Sequence, residues 1–390
     1  MIDPLLPHII LGGGIIGLSI AYYLCKSDQP CIIIEQTAVN SSASGKSGGF
    51  LAKTWQDHMC TESLCQRSYQ LHQQLAGEIN GTLRYDYRNC NTYSIKLKQL
   101  YTDNTDIQYA TPNAPIQAPS KQQLLPDWCN GNIQSYSNIG NAFNTSQITP
   151  SKFCDTLVDE IQRMGGKIII DTIQHINLDS NNIVQSIQLQ SNHQFISCST
   201  LTIACGSWSS NKLLSSIYST LPNITGSKAH SIILKPNNNN NNNNITDNTM
   251  LFIDYTDIHH KSTDPEIYPR SDGSIYICGA SDSTLLPDTS ASVHSDELVA
   301  ESLYSVGCHV SSIIRDHYYI SVSQACYLPT TDDGFPIIGR LSAYDNTYIC
   351  TGHTCWGMNN SLGSGLAIAQ LITTGNTDID ISELTPDRFQ

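Results

Sequence analysis

The chain has 390 residues, 39% of them hydrophobic, and a formal net charge of −14 at pH 7. That length exceeds one comfortable core, so two domains are expected. The acidic balance, with only 20 Lys and Arg and no clustered run, argues against nucleic acid or an anionic membrane as the main partner. No stretch approaches the roughly 20 apolar residues of a membrane span. The first strand pattern begins within seven residues of Met1, which leaves no room for a signal peptide, and Arg388-Phe389-Gln390 is not a peroxisomal address. With no secretory signal, the 14 cysteines are expected as reduced thiols of a cytosolic protein, used as small core residues. Cys350, His353 and Cys355 lie close together but lack a C-x-x-C partner pair, so no metal site is expected.

The most specific signal comes first in chain order. His8 to Leu11 reads as an apolar strand, and Gly12, Gly14 and Gly17 supply a G-x-G-x-x-G turn. Ile15 to Leu24 continue as an apolar helix, and Ile32 to Ile34 form a strand leading into Glu35. This is the pattern of a dinucleotide site. Gly12 permits the tight turn, Gly14 lets the backbone approach a pyrophosphate, and Gly17 lets the helix pack on the sheet. Ile15 and Ile16 open the helix, whose free N–H groups suit phosphate, and Glu35 can accept ribose hydroxyls.

NSSASGKSGGFLA (Asn40 to Ala52) reads as a small-residue loop too rich in glycine for a helix. Helical spacing resumes over Leu64 to Ile79, whereas residues 86–146 are polar with weak periodicity. Thr149 as N-cap and Pro150 in the first turn open a helix that Gly165-Gly166 ends. Strand patterns follow at Lys167 to Ile170, Ile183 to Leu189, Phe195 to Ala204 and Ile267 to Ala280. Asn237 to Asn244 is an asparagine tract, expected as a disordered loop insertion. Asn346 to Gly352 gives a final strand and Leu362 to Thr373 a final helix.

Five further segments carry a family resemblance. SASGKSGGFLA (Ser42 to Ala52) resembles the second flavin loop of the D-amino acid, glycine and sarcosine oxidase superfamily of FAD-dependent oxidoreductases. ITPSKFCDTLVDEIQRMGGKI and LTIACGSWS, with Gly206 and Trp208, are similar to its adenosine-side helix and its cofactor-side turn. LPTTDDGFPIIG, ending at Gly339, resembles its R-P-x-x-x-D-G-x-P-x-I-G segment. TGHTCWGMNNSLGSGLAIAQLI, with Gly352, His353, Trp356 and Gly357, resembles its terminal flavin loop. GSKAHSIILKP, IYPRSDGSIYICGASD and QACYLP are similar to a small eukaryotic cytosolic branch linked to endosome-to-Golgi retrieval.

The resemblance implies FAD and an α/β architecture, α+β overall. A Rossmann-like FAD-binding domain with a parallel sheet (1–85, 147–222 and 326–390) is joined by a mostly antiparallel β substrate domain with helices (86–146 and 223–325). Ser42, Ser44, Gly48 and Gly49 are then expected around the pyrophosphate and flavin edge, with the terminal helix pointing its N-terminus at the flavin. The implied reaction is hydride removal from the C–N bond of a small amine or amino acid. An alternative is a flavin-binding regulatory protein of retrograde transport, with trafficking partners and endosome association. Leu328 stands where amino acid oxidases carry a carboxylate-binding arginine, and Arg270 of Tyr268-Pro269-Arg270 is the nearest replacement. Tyr268, Arg270 and His353 are accordingly the candidate catalytic residues. The lysine that sarcosine-type oxidases use near the flavin is not evident in SIYICGAS, and the electron acceptor stays open. Counting back from Asp333 puts Cys326 on the position that sarcosine-type oxidases join covalently to flavin.

Overall fold

The computed structural model describes residues 6–98, 125–237 and 244–390; residues 238–243 of the asparagine tract lie outside them. Among the described residues, a six-stranded sheet runs Ile337–Arg340, Thr347–Thr351, Thr200–Ile203, His8–Leu11, Cys31–Glu35, Lys167–Ile170. All its pairs are parallel except that of the first two strands named. Helices cover one face of the sheet, and the small antiparallel sheet of Ile173–Leu178, Val184–Leu189 and Phe195–Ser197, with helix Lys212–Ile217, covers the other, so the central strands are buried on both faces, as the run His8–Leu11 illustrates. Helix Ile15–Lys26 packs against the terminal helix Gly357–Thr374 and against helix Pro150–Arg163.

A larger sheet has the order Tyr318–Thr330, Thr225–Pro236, Ile275–Asp282, Glu266–Pro269, Thr249–Thr256, Asn91–Lys98, Ile133–Gly140, with Ser262–Thr263 on Thr249–Thr256. Only Thr249–Thr256 with Asn91–Lys98 is a parallel pair. Alternation along the strands gives this sheet two different faces. One carries Ile232, Leu234, Leu251, Ile253, Ile267, Ile275 and Ile277, buried in a core shared with helices Glu297–Val310 and Ser312–His317. The other carries Phe252, Tyr268, Tyr276 and Cys278 and meets the glycine-rich segment after Glu35.

Several local expectations change. The small-residue loop holds a one-turn helix, Ala43–Lys46, and a short strand, Phe50–Ala52, that pairs with Thr145–Gln147. Thr149 is the N-cap residue but makes no capping bond, because its hydroxyl donates to Asp86 at 2.6 Å. The Phe195–Ala204 pattern breaks into Phe195–Ser197, in a small antiparallel sheet, and Thr200–Ile203 in the main one. The terminal helix starts at Gly357 rather than Leu362, so its N-terminus directly follows the His353 turn. Tyr318–Thr330 runs through the expected domain boundary at 325/326.

Candidate functional site

The strand His8–Leu11 delivers Gly12 at φ 108°, a conformation that L side chains rarely adopt. A Cβ there would strike the Ala204 carbonyl, and one at Gly17 would strike the Gly12 carbonyl oxygen. Gly14 differs. Its φ of −78° suits any residue, and an added Cβ would meet only the Ser44 Oγ, at 3.1 Å. Beyond that contact lies the cavity that Gly12, Gly14, Ile15 and Ile16 line. Gly14 caps the helix without a side chain, and the Ile15 N–H instead donates to Ser44 Oγ at 2.8 Å. Glu35, in the same wall, accepts the Gly13 N–H at 2.7 Å and the Thr37 N–H at 2.9 Å. The carboxylate is held by main chain and keeps lone pairs for hydroxyl donors.

The cavity follows the carboxyl ends of the parallel strands, where ligands bind in open α/β sheets. Its wall passes Ser42 and Ser44, then Gly206 and Trp208, then Leu328, and ends at His353, Gly357 and Met358. Trp208 is fixed by donating its Nε1–H to the Pro287 carbonyl at 2.7 Å. His353 is 2% exposed, with Nε2 on Ser364 Oγ at 2.8 Å and no hydrogen-bond partner for Nδ1. Burial pushes its pKa down to about 3, so the ring is neutral. The amino end of the Gly357–Thr374 helix adds unpaired backbone N–H groups beside it. An open glycine cradle at one end, and an orphaned imidazole nitrogen with a helix N-terminus at the other, fit an elongated polyanionic dinucleotide.

Other expected residues sit off this wall. Gly17 and Gly49 serve close packing: a Cβ at Gly49 would strike the Ile148 carbonyl. Gly48 lies under the rings of Tyr268 and Tyr276. Gly339 is in an outer strand beside Pro386, and Gly352 packs on Thr331 ahead of His353. Trp356 stands edge-on to Trp55, 6.4 Å between centroids. Cys326 lies in strand Tyr318–Thr330, and burial pushes its thiol up to about 11 despite the nearby Lys46 ammonium. The thiolate that covalent attachment needs is disfavoured there.

Sequence reading missed Asp171 and Thr172, which line the cavity beyond strand Lys167–Ile170, and Cys205, beyond Thr200–Ile203. The usable signal was positional, since each lies within two residues of the end of a parallel strand.

The second face of the large sheet looks onto the Lys46–Phe50 segment. Tyr276 Oη and Gln324 Nε2 both donate to the Lys46 carbonyl at 3.1 Å, and Lys46 Nζ donates to the Ala325 carbonyl at 2.9 Å. Tyr268, 2% exposed, stacks on Phe50 and on Tyr276, with centroids 5.8 and 5.9 Å apart. Its hydroxyl donates to Glu266, a residue that sequence reading did not single out although E-x-Y-x-R alternation puts Glu266, Tyr268 and Arg270 on one face. The Arg270 guanidinium lies over the Tyr276 ring at 5.6 Å, and its Nε has no hydrogen-bond partner. Burial lowers its pKa, partly offset by Tyr276, Asp272 and Asp86.

Residues 8–371 match the model of a family described as FAD dependent oxidoreductase (DAO). The chain is 28% identical to the Schizosaccharomyces pombe protein named "Putative oxidoreductase C1F5.03c", over 97% of each chain. It is 23% identical to "Putative oxidoreductase TDA3" of Saccharomyces cerevisiae, over 98% of this chain and 94% of that one. Among solved structures it resembles glycine oxidase from Geobacillus kaustophilus, with a TM-score of 0.73 over 97% of each chain at 18% identity, a likeness of fold.

Proposed function

We propose that this chain, which belongs to the DAO family of FAD-dependent oxidoreductases and takes FAD as its cofactor, oxidises the C–N bond of a small amine or amino acid. The observation that carries the reading is the single cavity linking the N-termini of helices Ile15–Lys26 and Gly357–Thr374 past Tyr327 to Pro329 of the large sheet. Bound FAD supplies an acceptor for a hydride. Gly12 to Ile15, Ser42, Ser44 and Glu35 would hold its pyrophosphate and ribose, and His353 with the terminal helix would hold the ring end. The N–H groups of that helix favour negative charge by about 0.3–2 kcal/mol. A neutral His353 can make a hydrogen bond there without adding a charge.

Tyr268 and its neighbours face the substrate in this reading, and glycine oxidase, by its name, acts on a small molecule of the class proposed. Arg270 is the proposed holder of an anionic group. Among the described residues no carboxylate pairs with it, and its Nε lacks a partner, so an anion would satisfy a donor that burial leaves unmet. A reducing compartment, the cytosol, accords with fourteen cysteines of which none lies in a disulfide among the described residues. The test is an anaerobic screen of amines and amino acids against the purified yellow protein. Bleaching of the flavin band by a member of the class supports the reading, and inertness to all of them rejects it.

A further inference from the structure

We propose that Glu266 is the subsite for the cationic nitrogen of the substrate, binding it as an ammonium against an aromatic wall and then taking its proton; this rests on the oxidoreductase reading above. Glu266 lies in strand Glu266–Pro269, directly opposite Phe252 on one neighbouring strand and Cys278 on the other. All three side chains therefore share the face that looks at the cofactor segment. The Tyr268 hydroxyl donates to the Glu266 carboxylate, and the Cys278 thiol donates to the same oxygen at 3.5 Å. Among the described residues no Lys, Arg or His pairs with it. A partly buried carboxylate with two neutral donors and no cation is costly unless a positive guest or a proton joins it.

The surroundings suit the guest. Phe252 packs on Trp55 and on Tyr268, with centroids 4.8 and 5.8 Å apart, and Trp55 in turn meets Trp356. Phe50, Trp55, Phe252 and Trp356 are all half-buried, so this wall is partly open to solvent. Ring faces attract an organic cation whose hydration has been stripped, and most strongly beside a carboxylate. The titratable groups near Glu266 are Tyr268 on its own strand, Cys278 and Tyr276 on the next, and Cys355 on the turn Thr354–Trp356. Burial raises all four, so they stay neutral near pH 7. Glu266 is then the most acidic group of this set, and burial raises it above the usual carboxylate value, which makes its carboxylate a better proton acceptor.

Those conditions favour proton uptake. The ammonium N–H bond breaks and a Glu266 O–H bond forms, so a +1/−1 pair becomes two neutral groups. The nitrogen keeps the lone pair that C–N oxidation requires.

The FAD-loaded protein is titrated at constant ionic strength with tetramethylammonium chloride and, separately, with tert-butanol, its neutral counterpart in shape. Tryptophan fluorescence and flavin absorbance are read together. The expected result is saturable binding of tetramethylammonium and none of tert-butanol, with binding at least tenfold weaker in Glu266→Gln. Equal responses to the two probes in the wild-type protein overturn the proposal, whether or not the variant folds. So does unchanged tetramethylammonium affinity in a folded Glu266→Gln. If no amine bleaches the flavin while tetramethylammonium still binds through Glu266, the cation site stands and the oxidoreductase reading falls. If an amine bleaches wild type and Glu266→Gln alike at every pH, the reading stands and the site falls.

Discussion

Replacing Gly14 by valine separates the two uses of glycine in the fingerprint. At Gly12 and Gly17 the space for a Cβ is filled by backbone carbonyls, so any side chain there must displace the strand–helix junction itself. At Gly14 the backbone is ordinary, and an added Cβ presses only on the Ser44 hydroxyl, 3.1 Å away. Gly14→Val should therefore fold, at a cost of about 1 kcal/mol for moving Ser44 off the Ile15 N–H. Its branched side chain would occupy the volume needed by the pyrophosphate. Losing two charge-assisted hydrogen bonds of about 1.5–3 kcal/mol each predicts FAD binding weaker by about two to four orders of magnitude. The assay pairs the ratio of flavin to protein absorbance, after purification and after FAD titration, with thermal melting of the apoproteins. The expected result is a colourless Gly14→Val that melts close to wild-type apoprotein, and a Gly17→Val that melts far lower or does not accumulate. Undiminished FAD in Gly14→Val, or an unfolding penalty equal to that of Gly17→Val, refutes the reasoning.

Two further outcomes follow from buried titratable groups. His353 and His72 are 2% and 1% exposed, and burial pushes their pKa values from 6.5 down to about 3 and about 4. Protons bind the unfolded chain first, so the stability these neutral rings allow is present above pH 6.5 and is lost as pH falls towards 4. At pH 5 the loss is about 2 kcal/mol for each ring, and urea denaturation of apoprotein at pH 7.5 and 5 should show about 4 kcal/mol in total; a flat profile over that range counts against it. Cys326, pushed up to about 11, should not hold flavin covalently. Acid precipitation should leave all yellow colour in the supernatant, and a yellow pellet overturns this.

The dinucleotide half of the site was legible because it is written locally. Strand, turn, helix and acidic strand end lie within Ile9 to Glu35, and Gly12 and Gly17 have backbone reasons to be there. The one-turn helix Ala43–Lys46 was hidden by composition, since Ala-Ser-Gly-Lys has little intrinsic preference for helix and is tied instead to Tyr276 and Gln324 of two distant strands. The start of the terminal helix was misplaced for a related reason. Gly357 to Ser361 carry little apolar periodicity, yet Asn359 and Ser361 are buried, with Asn359 accepting the Ala52 N–H and Ser361 donating to the Met358 carbonyl. Glu266 was invisible because its meaning depends on Phe252 and Cys278, which only strand register brings beside it.

The same register constrains the substrate. Glu266 and Arg270 lie on one face with Tyr268 between them, four residues and about 13 Å apart along the backbone. The two side chains lean to different partners, Glu266 to Tyr268 and Cys278, and Arg270 to the Tyr276 ring. A molecule that engages both must lie along the strand, across the stacked Tyr268 and Tyr276 rings. A simple α-amino acid places its ammonium and carboxylate on one carbon and is too short to do so. Either the anion and cation are distant from each other on an extended amino acid, or the substrate is an amine whose nitrogen alone is gripped. The tyrosine stack favours the amine, because its rings fill the space a bridging chain would cross and leave Glu266 beside the half-open aromatic wall. On that account the proposed Glu266 site grips the amine, and the anionic group proposed for Arg270, which lies over the Tyr276 ring, enters only with an extended amino acid.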